Sequence, residues 1–178
     1  MTGWRPGDRR ANSGSMLRVD QAGEYGATRI YAGQLAVLRP NCPEAKLIAR
    51  MAAQEQRHLK RFNQLMAERR GRLTALQPLW NVAGFALGAA TALISEKAAL
   101  ACTDAIETEI DKHYSAQLKE LGDDDPELAA DIADFQADEL EHRDTAREAG
   151  ATQAIGYPLL TAAIRAGCRV AIGLSKRI

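Results

Sequence analysis

The chain has 178 residues, with 23 Lys plus Arg against 23 Asp plus Glu, and this zero formal charge removes the electrostatic case for nucleic acid as a partner. Aromatic residues are only 5% of a composition that is 46% hydrophobic and rich in helix formers, which excludes an all-β fold. Three widely spaced cysteines, Cys42, Cys102 and Cys168, suit neither a disulfide framework nor a zinc site.

Residues 1–14 read as a loose N-terminal tail of Gly, Pro, Arg, Asn and Ser, without the apolar run of a signal peptide. Residues 15–178 read as a single all-α domain, with helices predicted at 15–38, 43–70, 79–95, 97–121, 126–149 and 156–175. Pro43 and Pro126 suit first helical positions, while Gly71, Gly122 and Gly150 suit positions just past helix ends.

Two of the three histidines follow a glutamate by three residues, in Glu55-Gln-Arg-His58 and Glu139-Leu-Glu-His142. On a helix, positions i and i+3 share a face, so each pair presents a carboxylate and an imidazole to one point. The helix before each pair carries a glutamate at a matching height. Glu24 lies 14 residues before Leu38 and Glu55 lies 14 after Asn41, while Glu107 lies 14 before Leu121 and Glu139 lies 14 after Asp125. At about 1.5 Å per residue, both members of each hairpin sit at the same distance from their turn. Glu24 to Glu107 is 83 residues and Glu55 to Glu139 is 84, which marks the two hairpins, near 15–70 and 97–149, as an internal duplication.

These residues fall on apolar stripes: Leu17, Glu24, Tyr31, Leu35 and Leu38; Met51, Glu55, His58, Phe62 and Leu65; Leu100, Thr103, Glu107, Ile110, Tyr114 and Leu118; Leu128, Ile132, Phe135, Glu139 and His142. Four carboxylates on inward faces must protonate or be neutralised by cations. One Glu from each of two helices plus Glu-x-x-His from the other two is the ligand set of ferritin-like dinuclear carboxylate bundles, and so predicts Glu24, Glu55, His58, Glu107, Glu139 and His142 as metal ligands. This donor set suits two iron ions, with manganese as the other candidate. Glu109 and Glu141 fall off the stripes and are expected in solvent.

Residues 72–95 form an apolar crossover with no charge between Arg72 and Glu96. Spanning a bilayer would separate Glu24, Glu55 and His58 from Glu107, Glu139 and His142, so this helix is expected to lie on a membrane or against another subunit, with Gly84 and Gly88 allowing close approach. Helix 156–175 is also apolar and carries only basic charge, which suits anionic headgroups.

The segments Arg18-Val-Asp-Gln-Ala-Gly-Glu-Tyr-Gly-Ala27, Ile30-Tyr-Ala-Gly-Gln34, Glu55 and His58 followed by Leu59-Lys-Arg-Phe62, Ala101-Cys-Thr103 and Glu139-Leu-Glu-His142 together resemble the demethoxyubiquinone hydroxylase family, from Leu17 to the C-terminus. The resemblance implies a ferritin-like four-helix bundle with the long helical crossover and a membrane-facing C-terminal helix. It implies a di-iron monooxygenase of ubiquinone biosynthesis that hydroxylates the ring of a polyprenyl demethoxyubiquinol with dioxygen, and metal ligands at the six positions above. It also implies a role for His113 and Tyr114 in electron transfer or behind the ligands. The chain shows no nucleotide-binding glycine loop, so electrons are expected from an external donor such as NADH. Expected partners are the quinone, a membrane surface, further copies of the chain and other ubiquinone-biosynthesis proteins. The early start of the matching region suggests a bacterial member, peripheral on the cytoplasmic side of the cytoplasmic membrane. The competing readings are a bacterioferritin-like ferroxidase or iron store and a non-catalytic helical membrane adaptor.

Overall fold

Proline and small polar residues set where the helices start. The computed structural model describes residues 11–178, which form α1 (Ser13–Val37), α2 (Pro43–Glu68), α3 (Gln77–Ile94), α4 (Glu96–Leu121), α5 (Pro126–Glu148) and α6 (Tyr157–Ser175). Among the described residues there is no strand. At the N-terminus of α1, the Asn12 side chain accepts from the Ser15 amide, and Ser95 does the same for Ala98 at the start of α4. Pro43 opens α2 behind Cys42, whose sulfur accepts from the Ala45 amide, and Pro126 opens α5 behind Asp125, which accepts from the Leu128 amide. Gly122, at φ 49°, and Gly150, at φ 100°, take positive φ angles open to glycine, just past the ends of α4 and α5.

The predicted helices and the observed ones differ by a residue or two at their ends, and one short 3-10 turn, Ala151–Gln153, is additional. Residues 13 and 14, expected in the loose tail, are helical because Asn12 caps them; residues 1–10 of that tail lie outside the described residues.

Helices α1, α2, α4 and α5 form the bundle, α3 lies along α1, and α6 lies along α4. One end of the core contains Leu17, Phe62, Leu65, Tyr114, Leu121, Leu128, Ile132 and Phe135. The other end contains Tyr31, Ile48, Met51, Ala98, Ala99, Leu100 and Ala101. The expected stripes are buried, apart from Leu35, which is 36% exposed, and Ile110 and Leu118, which are half-buried. Across the outer seam of α2 and α5 runs a ladder of ion pairs: Arg57 to Asp134 at 3.1 Å, Arg61 to Asp131 at 2.7 Å, and Arg69 to Asp125 and Glu127.

The glycines of α3 do not serve a second subunit or lipid, as the sequence suggested. They press against α1: a Cβ on Gly88 would lie 1.9 Å from the Ile30 carbonyl oxygen, and one on Gly33 would lie 2.1 Å from that of Phe85. The close-packed face of α3 is therefore used within the chain, and its opposite face carries the exposed Val82, Leu93 and Ile94. No helix of the described residues is long and apolar enough to cross a membrane.

Candidate metal centre

The duplicated hairpins converge at mid-bundle. Glu24 from α1, Glu55 and His58 from α2, Glu107 from α4, and Glu139 and His142 from α5 are all 0–1% exposed. Their donor atoms fall into two groups, each within 4.8 Å: Glu24, Glu55, His58 and Glu139, and Glu55, Glu107, Glu139 and His142. Glu55 and Glu139 belong to both groups, so they lie where bridging carboxylates of a dinuclear centre would lie, with Glu24 and His58 on one side and Glu107 and His142 on the other.

Both imidazoles turn Nδ1 inward. His58 Nδ1 is 3.4 Å from Glu24 Oε2 and 3.2 Å from Glu139 Oε1, and His142 Nδ1 is 3.2 Å from Glu55 Oε1 and from Glu139 Oε2. Outward, His58 Nε2 meets Asp138 Oδ2 at 2.9 Å and His142 Nε2 meets Gln54 Oε1 at 3.0 Å. Each outer acceptor comes from the opposite hairpin and immediately precedes that hairpin's Glu-x-x-His. Each Nε2 faces an oxygen acceptor, an arrangement that would hold the N–H of a neutral imidazole outward and leave Nδ1 to a cation. Phe135 stacks on the His58 ring at 4.1 Å and fixes its plane.

The outer carboxylates are braced in the same crossed way. The Tyr31 hydroxyl on α1 donates to Glu107 Oε1 at 2.9 Å, and the Tyr114 hydroxyl on α4 donates to Glu24 Oε1. In both helices the tyrosine follows the glutamate by seven residues, so the brace is part of the duplication.

Desolvation pushes the Glu55, Glu107 and Glu139 carboxyls above their usual range, and at Glu55 repulsion from Glu139 adds to it. Glu24 is buried too, but the adjacent His58 imidazole outweighs desolvation and holds it below that range. His58 itself is pushed up to about 10, because Glu139 and Glu24 outweigh the desolvation that would lower it. Desolvation lowers His142. Desolvation and neighbouring carboxylates raise Tyr31 and Tyr114 well above 10.0, so both hydroxyls keep their protons and act as donors.

The residues fit a pair of cations. Glu24 Oε2, Glu55 Oε1, Glu107 Oε2, both Glu139 carboxylate oxygens, His58 Nδ1 and His142 Nδ1 are buried, face one another and have no hydrogen-bond partner. Leaving such atoms unpaired costs about 1–3 kcal/mol each, more when charged, and a cation between them removes that cost.

His113 stands apart from this cluster. It lies on the α4 flank, with Nε2 3.3 Å from Asp20 Oδ1, an oxygen that also accepts from Gln117 at 2.8 Å. Asp20 is 2% exposed, and burial raises its carboxyl against the pull of His113. Glu141 is exposed as expected, but Glu109 is only 5% exposed. Glu109 is covered because Arg165 and Arg169 of α6 reach it at 2.7 and 3.3 Å, and Lys112 at 3.0 Å. Sequence reasoning passed over Gln54 and Asp138 and gave Tyr31 no role at the site, although extending the duplication to the neighbours of each ligand would have paired Gln54 with Asp138 and Tyr31 with Tyr114.

Beside the cluster, α1, α3, α4 and α6 line a half-open apolar cavity of about 580 Å³, walled by Ile30, Leu87, Ile106, Ile110, Leu160 and Ile164 among others. Its wall residues Gly23 and Ile106 directly precede Glu24 and Glu107 in the chain, so the apolar space lies against the backs of the two outer carboxylate positions. Trp80 of α3 donates to the Ser175 hydroxyl of α6 at 3.2 Å and ties one end of the cavity.

A family model described as ubiquinone biosynthesis protein COQ7 matches residues 11–175. The chain is 56% identical over 162 residues to the 3-demethoxyubiquinol 3-hydroxylase of Rhodospirillum rubrum, covering 91% of this chain and 76% of that protein. It is 50% identical over 173 residues to the human NADPH-dependent 3-demethoxyubiquinone 3-hydroxylase, covering 95% and 79%. It is 42% identical over 179 residues to the mitochondrial 5-demethoxyubiquinone hydroxylase of Saccharomyces cerevisiae, covering 92% and 77%.

Proposed function

The chain belongs to the ubiquinone biosynthesis protein COQ7 family, and from that premise we propose that it hydroxylates the ring of demethoxyubiquinol with dioxygen at a centre of two iron ions. The observation that carries the metal assignment is the set of seven unpartnered donor atoms, all buried and converging from four helices. Glu24, Glu55, His58, Glu107, Glu139 and His142 would hold the ions, which when bound supply the activation of dioxygen.

The chain's own residues do the rest. Tyr31 and Tyr114 hold Glu107 and Glu24 by donating to one oxygen of each, leaving the other oxygen of each free to bind a cation. Asp138 and Gln54 fix both imidazoles with Nδ1 inward. The apolar cavity takes the quinol and its prenyl tail, and its walls keep water from the reacting ring. One oxygen atom enters the ring and the other leaves as water, so two electrons come from outside, from a reduced pyridine nucleotide. The mouse and human relatives are named NADPH-dependent, and sequence reasoning pointed to NADH.

The exposed Val82, Leu93 and Ile94 of α3 and Leu159 and Val170 of α6 form the membrane-facing side. The last 29 residues contain no acid, and beyond Arg165 and Arg169, which pair with Glu109, they carry Lys176 and Arg177, which suits the anionic cytoplasmic surface of a bacterial membrane. Replacing Val82 or Leu93 by Asp is expected to release the protein from liposomes containing anionic lipid; flotation unchanged from the parent would remove this face as the anchor.

The decisive assay loads the protein anaerobically with ferrous iron, adds demethoxyubiquinol and isotopically labelled dioxygen, and follows the product by mass spectrometry with NADH and NADPH in parallel. One labelled oxygen atom in the ring is expected. Iron mineral formed in a soluble shell, with no labelled product, would support the ferroxidase reading instead.

A further inference from the structure

The duplication pairs each residue around the centre with a counterpart in the other half, and most pairs are chemically alike. Tyr31 answers Tyr114, Gln34 answers Gln117, and Glu55 answers Glu139. Other pairs break the likeness. The acceptor behind His58 is the carboxylate of Asp138, whereas its counterpart behind His142 is the neutral amide of Gln54. One turn before Glu24 stands the buried carboxyl of Asp20, whereas one turn before Glu107 stands the hydroxyl of Thr103. These two differences place acidic side chains behind the Glu24 and His58 side. A third pair runs the other way, with Gln21 one turn before Glu24 and the buried Asp104 one turn before Glu107, but the Asp104 carboxylate is paired with Arg147 at 2.7 Å and accepts from the Tyr157 hydroxyl.

We infer that the two metal positions are inequivalent by construction: the one held by Glu24 and His58 binds a divalent cation more tightly and fills first, with Asp138 and Gln54 as the positioning residues that set the difference. The inference rests on the metal-centre reading above. A carboxylate accepting from the outer N–H of an imidazole makes the inner nitrogen a stronger donor than an amide does, and loss of such a partner typically lowers metal affinity about 10–100-fold. Arg57 also pairs with Asp138 and tempers its charge, but its side chain is 53% exposed, so water screens it. His58 and Asp138 meet behind a ring that is itself 0% exposed, where the interaction is screened less.

The test is an anaerobic ferrous-iron titration of the full chain by calorimetry, with Mössbauer spectra of isotopically enriched samples at one and two equivalents. Two iron ions per chain binding in resolved steps are expected, with one doublet dominant at the first equivalent. Asp138→Asn should weaken the first step about 10–100-fold and perturb the doublet that appears first, while leaving the second step nearly unchanged. Gln54→Glu should do the opposite, strengthening the second step and bringing the two affinities together. Two iron ions bound with equal affinity, or either substitution moving both steps alike, overturns the inference and leaves the metal centre standing. A parent chain that retains no iron, or one ion only, overturns the metal-centre reading and this inference with it.

Discussion

Substituting Gly88 by alanine tests whether the glycines of α3 serve contact within the chain. The added Cβ would lie 1.9 Å from the Ile30 carbonyl oxygen, 2.8 Å from its carbon and 3.0 Å from the Gln34 amide nitrogen, where 3.4–4 Å is ordinary contact. These are backbone atoms inside a helix, so no rotamer change relieves the clash, and α3 must move outward by about 1.5 Å or tilt. Overpacking of this kind costs about 1–3 kcal/mol, or a drop of about 2–12 °C in Tm for a chain of this size. The clash is graded along the seam, with Gly33 at 2.1 Å from the Phe85 oxygen and Gly84 at 3.0 Å from its nearest atoms, so Gly84→Ala should be the mildest of the three. Gly26 has nothing within 4 Å, and there alanine should stabilise by about 0.5–1 kcal/mol through helix propensity alone. Thermal unfolding of the four variants, monitored by circular dichroism, gives the ranking. Equal Tm values for Gly88→Ala and Gly26→Ala, with a change in self-association instead, would refute the packing of α3 on α1.

Glu107→Ala and His142→Ala each remove a donor from one group only, so iron content measured by elemental analysis should fall from two per chain toward one, and product formation should be lost. Ferrous iron at about 100 times the Kd of a site should raise the unfolding free energy by about 2.7 kcal/mol for each site filled, and chelation should reverse the rise in Tm. Asp125 caps α5 and pairs with Arg69, so Asp125→Ala should cost about 1–2 kcal/mol at neutral pH, read from chemical denaturation. Burial opposes the charge on Asp125, but Arg69 and the Leu128 amide win and hold its carboxyl below 3.8. Its contribution is therefore complete above the unfolded value and lost as pH falls through the lower folded one, and Asp125→Asn should flatten the dependence of Tm on pH below about 4.

Most helix limits and the shared face of each Glu-x-x-His pair were legible in the sequence because each depends on neighbours within about four positions. Glu55 and His58 must share a face whatever packs on them, and Pro43 and Pro126 must begin helices wherever the helices go. Even the alignment of the two halves was readable, since equal distance from a turn needs only a constant rise per residue.

The tertiary structure alone decided what each outward position meets. Glu109 sits off the apolar stripe of α4 and was expected in solvent, yet α6 lays Arg165 and Arg169 over it from 56 and 60 residues away. Leu35 lies on the stripe of α1 and reaches the surface, although Leu38, farther along the same stripe, is buried. Gly84 and Gly88 announced a close approach without saying to what. Gln54 and Asp138 became partners of His142 and His58 only when α2 and α5 came side by side. Periodicity assigns a residue to a face, but which neighbour covers that face is set by helix order and crossing, and the energy of those contacts depends on pairs too distant in the chain for local pattern to encode.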